Sequence, residues 1–250
     1  MTLQVILGAQ DGVLIATDNK QVTLTSESLK RSDERIALET DSIHIGQYGA
    51  DKIVFNKAKT IAIACGGWDG AQYVSQGIAE ELDSVWGEYV GPIEALVNAR
   101  WTCIPEAERG ESLEFSSNTS LIAVHAEKGE AFKIFFKKES GIIAIFHRRK
   151  NQKFVLLGGH IQNPAGTFLE IGYPSGHPRI DDLVFLAAHF ILTGERLNPA
   201  GIDGLEIHVA RNGNPFEEIG EGRLSRIRDA SDKFHRKLKR SLVKSLSKFN

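Results

Sequence analysis

The chain has 250 residues, 42% hydrophobic and 25% charged, with a formal net charge of −2. That is an ordinary globular composition, long enough to bury a core without metal or disulfide staples, and its charge singles out no class of partner. Cys65 and Cys103 have neither metal-ligand spacing nor enough partners for a disulfide framework, and no apolar run nears a membrane span. With no basic n-region at the N-terminus, the expected location is the cytoplasm, with no membrane contact.

In chain order, TLQVILG and GVLIATD are short β-rich runs, and Asp11-Gly12 between them predicts a hairpin turn. Residues 21–50 are mostly polar and irregular, with SIHIGQY a candidate strand. KIVFN and TIAIACGG form a second apolar pair. From Asp69, DGAQYVSQGIAEELDSVW places Tyr73, Ile78, Leu82 and Val85 near one helical stripe, and a second helix is expected from Pro92. Four strands should follow, SLIAVHA, AFKIFFK, GIIAIFH and KFVLLGG. Helices are then expected at NPAGTFLEI and DDLVFLAAHFILTG, a strand at GLEIHVA, and a basic amphipathic stretch carrying Ile227, Phe234, Leu238, Leu242 and Leu246. Blocks of strands between pairs of helices imply layered α+β, with two sheets stacked between two helical layers. With no repeat or linker, one domain over 1–222 is expected, followed by the basic helix 223–250. Those last 28 residues hold ten Lys/Arg against two Asp, a net +8, and the other 222 hold 20 Lys/Arg against 30 Asp/Glu, a net −10.

Thr2 heads the first strand. Removal of Met1 would give it a free α-amine, a group that titrates near pH 8 and can activate the adjacent hydroxyl as a nucleophile. Asp18 ends the second strand, Lys52 heads another, and Gly66 follows Lys52 by fourteen residues at the end of that hairpin. A lysine beside Thr2 would stabilise the alkoxide, Asp18 would hold the lysine, and a glycine N–H would serve as oxyanion donor. Each residue alone has a plainer account, as a turn residue, an edge charge or a turn glycine. Their joint occurrence in this order favours the chemistry. The eight histidines are scattered without metal-ligand spacing, so no metal and no cofactor is expected.

TLQVILGAQDGVLIATDNK and DKIVFNKAKTIAIACGGWDGA resemble the opening strand pair and the lysine strand of proteasome β-type subunits, within the N-terminal-nucleophile hydrolases. The resemblance implies a four-layer αββα sandwich assembled into rings or another homo-oligomer. It implies Thr2 as nucleophile, Asp18 and Lys52 as its supporting pair, Gly66 as oxyanion donor, and Gln21, Ala50, Val54, Ala64 and Trp68 lining a substrate pocket. Three departures stand out. Residues 21–50 are longer than the family's hairpin. Gly159 replaces the serine that holds the amine, leaving His160 or a water to orient it. The stretch TGERLNPAGID lacks the family's aspartate and serine, with Asn198 and Ala200 nearby. The function expected on this basis is threonine-type hydrolysis of a peptide or protein. Peptide ligation at the same site and a non-catalytic assembly or binding subunit are the alternatives. The tail is expected to dock on the body or on an acidic neighbouring subunit ahead of nucleic acid or lipid, since its aromatics fall on or near the apolar stripe.

Overall fold

The computed structural model describes residues 2–23, 46–49, 52–66, 69–87, 91–103, 120–137, 141–148, 154–159, 169, 172–174, 176, 178–198 and 202–246. Strands β1 (Leu3–Ala9), β2 (Gly12–Thr17), β10 (Val155–Gly159), β11 (Glu206–Arg211) and β12 (Glu217–Glu218) form one antiparallel sheet in the order β10-β1-β2-β11-β12. A second antiparallel sheet runs β5-β6-β7-β8-β9, from β5 (Ile53–Phe55), β6 (Ile61–Gly66), β7 (Ser120–His125), β8 (Glu130–Lys137) and β9 (Gly141–Arg148). Strands β3 (Lys20–Thr23) and β4 (Gly46–Gly49) pair as a separate ribbon. The helices are α1 (Asp69–Ile78), α2 (Leu82–Val85), α3 (Gly91–Thr102), α4 (Ile180–Leu197) and α5 (Glu221–Leu246).

Period-2 alternation sends the two faces of each strand into different cores. On β1, Leu3, Val5 and Leu7 pack against α4, and Ile6 points the other way, at the second sheet. The first sheet is therefore covered by α4 and α5 on one face and by the second sheet on the other. Helices α1–α3 cover the remaining face of the second sheet through Ile78, Leu82, Trp86, Ile93 and Val97. Among the described residues no helix is long and apolar enough to cross a membrane.

Several elements differ from expectation. The hairpin turn is Gln10-Asp11, because Ala9 pairs with Gly12. Gly12 is the first residue of β2 and has no positive φ. It is glycine because a Cβ there would lie 2.1 Å from the Ala210 carbonyl oxygen of β11. Asp11 instead accepts the Ile180 N–H at 2.7 Å, a carboxylate at the α4 N-terminus. The helix expected over residues 69–86 breaks at residues 79–81. The Glu80 carboxylate is taken by the Lys57 N–H of the β5–β6 turn at 2.8 Å, and that of Glu81 by Arg100 on α3. Tertiary contacts here outweigh helix propensity. The expected helix NPAGTFLEI lies outside the described residues except Leu169.

The basic tail is a helix, and its buried face runs Leu224, Ile227, Ser231, with His235 and Leu238 half-buried. Phe234, expected on that face, is 48% exposed at its edge. His235 takes the inward place, 3.3 Å from the Thr193 hydroxyl of α4. Its neighbour His189 on α4 is buried, with Nδ1 2.9 Å from the Ser231 hydroxyl and its ring 4.7 Å from that of His235. Burial, with the second imidazole and Arg196 close by, pulls His189 down to about 4, and burial also lowers His235. An imidazole with a lowered folded pKa binds its proton more weakly folded than unfolded, so stability falls as pH drops from about 6.5 toward 4. Thermal unfolding between pH 7 and 4.5 should show a loss of about 2 kcal/mol that His189→Gln removes in large part.

Candidate active site

The start of β1 is held by the end of β2. Asp18 Oδ1 accepts the Leu3 N–H at 2.7 Å, and the Asp18 N–H donates to the Leu3 carbonyl at 3.2 Å. The Thr17 hydroxyl lies 3.1 Å from that same carbonyl and 2.9 Å from the carbonyl of Asp18. The other carboxylate oxygen, Oδ2, accepts from Lys52 Nζ at 2.7 Å, and the same ammonium donates to the Thr2 hydroxyl at 3.2 Å. Asp18 is 0% exposed and Lys52 8%, with Thr2 half-buried at the edge of the site. Burial pushes the Asp18 carboxyl up and the Lys52 ammonium down, and their mutual attraction opposes both shifts. Thr2, Asp18 and Lys52 therefore meet from three parts of the chain. A cation in contact with a hydroxyl oxygen stabilises negative charge that develops there.

A glycine in α4 lets the helix approach this strand. A Cβ on Gly194 would lie 2.0 Å from Leu3 Cδ1, so no larger residue leaves both in place. Glycine inside a helix costs about 1 kcal/mol relative to alanine, and here it seats the residue next to Thr2.

Register explains what surrounds the site. Gly158, Gln4, Thr17 and Glu206 are paired neighbours in one row across the first sheet. Gln4, Thr17 and Gly158 are two residues from Ile6, Ile15 and Leu156 and share their face, so the row faces the second sheet. Gln4 is 0% exposed, and its Nε2 donates across the gap to the Cys65 carbonyl. His208 Nε2 lies 2.7 Å from Glu206 Oε1, and the His208 ring is 4.7 Å from that of Phe55 on the lysine strand. The Glu206 charge also favours the Lys52 ammonium. On the facing sheet, buried Lys133 donates to the Leu157 carbonyl and lies 4.3 Å from the Phe135 ring centroid, and burial pulls its ammonium down to about 8.

The sequence reading missed Gln4, Glu206, His208 and Lys133. A signal for Gln4 was available: both Leu3-Val5-Leu7 and Ile6 are apolar, so β1 is buried on both faces and a glutamine among them needs a partner.

The other expected site residues are more dispersed. Gly66 ends β6 opposite Ser120, and Gly159 ends β10 opposite Leu3, beside the start of β1. Gln21 is on β3 opposite Tyr48. Val54 packs toward α1–α3 and Ala64 into the core between the sheets, so these two lie on opposite faces of the β5–β6 hairpin and line no common pocket. Ala50, Trp68 and His160 lie outside the described residues. Among the described residues, no three metal-ligating side chains come together.

No family model matches the chain, and no curated protein matches it. Solved structures do. An Anbu mutant from Hyphomicrobium sp. strain MC1 matches at TM-score 0.62 and 13% identity, covering 98% of this chain and 97% of that one. Anbu from Yersinia bercovieri, described as an ancestral beta-subunit, matches at 0.62 and 12%, covering 94% and 95%. A second Hyphomicrobium Anbu structure matches at 0.59 and 13%, covering 97% of each chain. The sequence-based identification as a proteasome β-type subunit is thereby corrected. No family model supports it, and the solved structures named above are Anbu proteins, whose fold this chain shares. At 12–13% identity the likeness is one of fold.

Removing one member of a buried ion pair strands the other. Lys52→Met should cost about 3 kcal/mol in denaturant unfolding. Adding Asp18→Asn should return part of it, because the amide oxygen still accepts the Leu3 N–H and no buried charge remains.

Proposed function

We propose that the protein is a threonine-type hydrolase of amide bonds in peptides or proteins, using Thr2 once Met1 is removed. The observation that carries this reading is the Lys52 ammonium, bonded at once to the Thr2 hydroxyl and to buried Asp18. The α-amine of Thr2 takes the hydroxyl proton as Oγ attacks the carbonyl carbon. Lys52 stabilises the charge on Oγ, and the Gly66 N–H stabilises the oxyanion. The tetrahedral adduct collapses, the proton passes to the leaving amine, and an ester on Thr2 remains. Water, deprotonated by the same amine, hydrolyses that ester and releases the acid and free Thr2. Attack on the ester by an amine in place of water would make a peptide ligase.

The packing of α4–α5, two sheets and α1–α3 supports a four-layer αββα sandwich of the N-terminal-nucleophile type. The Anbu likeness and the exposed Phe185, Leu197 and Phe234 support a homo-oligomeric assembly, a ring in the reading preferred here. A content of two cysteines, Cys65 and Cys103, too few for a disulfide framework, suits a cytoplasmic setting. A specific observation favours the non-catalytic alternative. Gly159, beside Leu3, has no side chain with which to hold an amine.

Intact mass after exposure to a β-lactone tests the reading. Loss of Met1 and a single adduct are expected, absent in Thr2→Ala, retained in Thr2→Ser and formed at least a hundredfold more slowly in Lys52→Ala. A retained Met1 with no adduct would leave the non-catalytic subunit as the function.

A further inference from the structure

Gln4 stands two residues after Thr2, fully buried in the layer between the sheets. Its companions there are Ile6, Ile15, Ile122 and Leu156. Its Nε2 donates to the Cys65 carbonyl of the opposite sheet. Among the described residues its Oε1 has no partner, and it lies over Gly158, where a Cβ would come within 2.5 Å of it. A buried amide oxygen without a partner is costly, and an apolar side chain of similar volume would avoid that cost. Stability alone gives no reason for glutamine at this position.

The acceptor suggests one. The Cys65 carbonyl and the Gly66 N–H are opposite ends of a single planar peptide, so holding one end sets the direction of the other. Among the described residues the β5–β6 ladder ends at the pair Ile53 and Ala64, and β7 continues alongside Cys65 and Gly66. Gln4 adds a bond to this peptide from the first sheet.

We infer that Gln4 is a positioning residue: its bond to the Cys65 carbonyl fixes the peptide whose N–H, from Gly66, receives the oxyanion. This rests on the hydrolase reading for its purpose, and on the hydrogen bond for its mechanism. Nucleophile and oxyanion donor would then be kept in register by one side chain of the nucleophile's own strand. Gln4 lies on β1's inward face two residues after Thr2, and Gly66 lies across the gap on β6.

The test is Gln4→Met, with wild type and Thr2→Ala beside it, read by thermal midpoint, hydrogen exchange at the Gly66 amide and the rate of β-lactone acylation. The expected result is a midpoint equal to or above wild type, Gly66 exchange at least tenfold faster and acylation at least tenfold slower. Gln4→Leu, which likewise has no donor for the Cys65 carbonyl, should show the same gain in exchange and loss of acylation. Unchanged exchange at Gly66 overturns the inference. So does a loss of acylation that only follows a lowered midpoint, or a Gln4→Met chain that does not fold, since either assigns Gln4 to the fold alone. If wild type takes no adduct, the hydrolase reading falls, and exchange at Gly66 alone decides whether Gln4 holds that peptide.

Discussion

The carboxylate of Asp18 divides its two oxygens between two sheets. Oδ1 holds the first N–H of β1, and Oδ2 holds the lysine that precedes β5. An isolated carboxylate at full burial would cost several kcal/mol and would sooner take up a proton than stay charged. It is tolerated here because each oxygen has a donor, one a backbone N–H and one a cation. The geometry at Thr2 depends on this arrangement. If Asp18 were displaced, the strand end and the ammonium that meets the hydroxyl would lose their common anchor together.

A second consequence of packing the sheets face to face is that polar residues on the inward rows have little access to water. Gln4, Thr17, Glu206 and Lys133 must each find partners inside the protein, and they find them largely in backbone carbonyls and one another's neighbours. Lys133 meets a carbonyl and an aromatic face, which leaves its charge poorly compensated and accounts for its lowered affinity for a proton. The site is thus bordered by a polar row inside an otherwise apolar layer, next to the one place where the strand end reaches the surface.

How much of this was legible depends on distance along the chain. Thr2, Asp18 and Lys52 each stand at the end of an apolar run, and their order and spacing are enough to group them from the sequence. Asp11-Gly12 was legible as a hairpin, but not the reason for the glycine, since Ala210 of β11 is nearly two hundred residues away. The row Gly158–Gln4–Thr17–Glu206 could not be read because it is created by register between strands far apart in sequence. The pocket residues were mapped by resemblance across residues 21–50, and Val54 and Ala64 fell on opposite faces, since two residues ten apart on different strands share a face only if the pairing allows it. On α5, a stripe drawn through Phe234 was off by one position. Hydrophobicity favoured the phenylalanine, but the Thr193 hydroxyl on the facing helix draws in His235.

The pairing of β1 also sets a timetable. One edge of β1 is covered by β2, which the ribosome supplies almost at once. The other is covered by β10, synthesised about 150 residues later. At typical translation rates that interval is roughly 10 to 30 s. Leu3 is buried in the finished sheet, so it is open to solvent only before that second edge closes. If Thr2 is the nucleophile proposed above, trimming to it competes with translation for that interval. A chain refolded from denaturant with Met1 still attached would face a far shorter interval, set by folding and not by the ribosome.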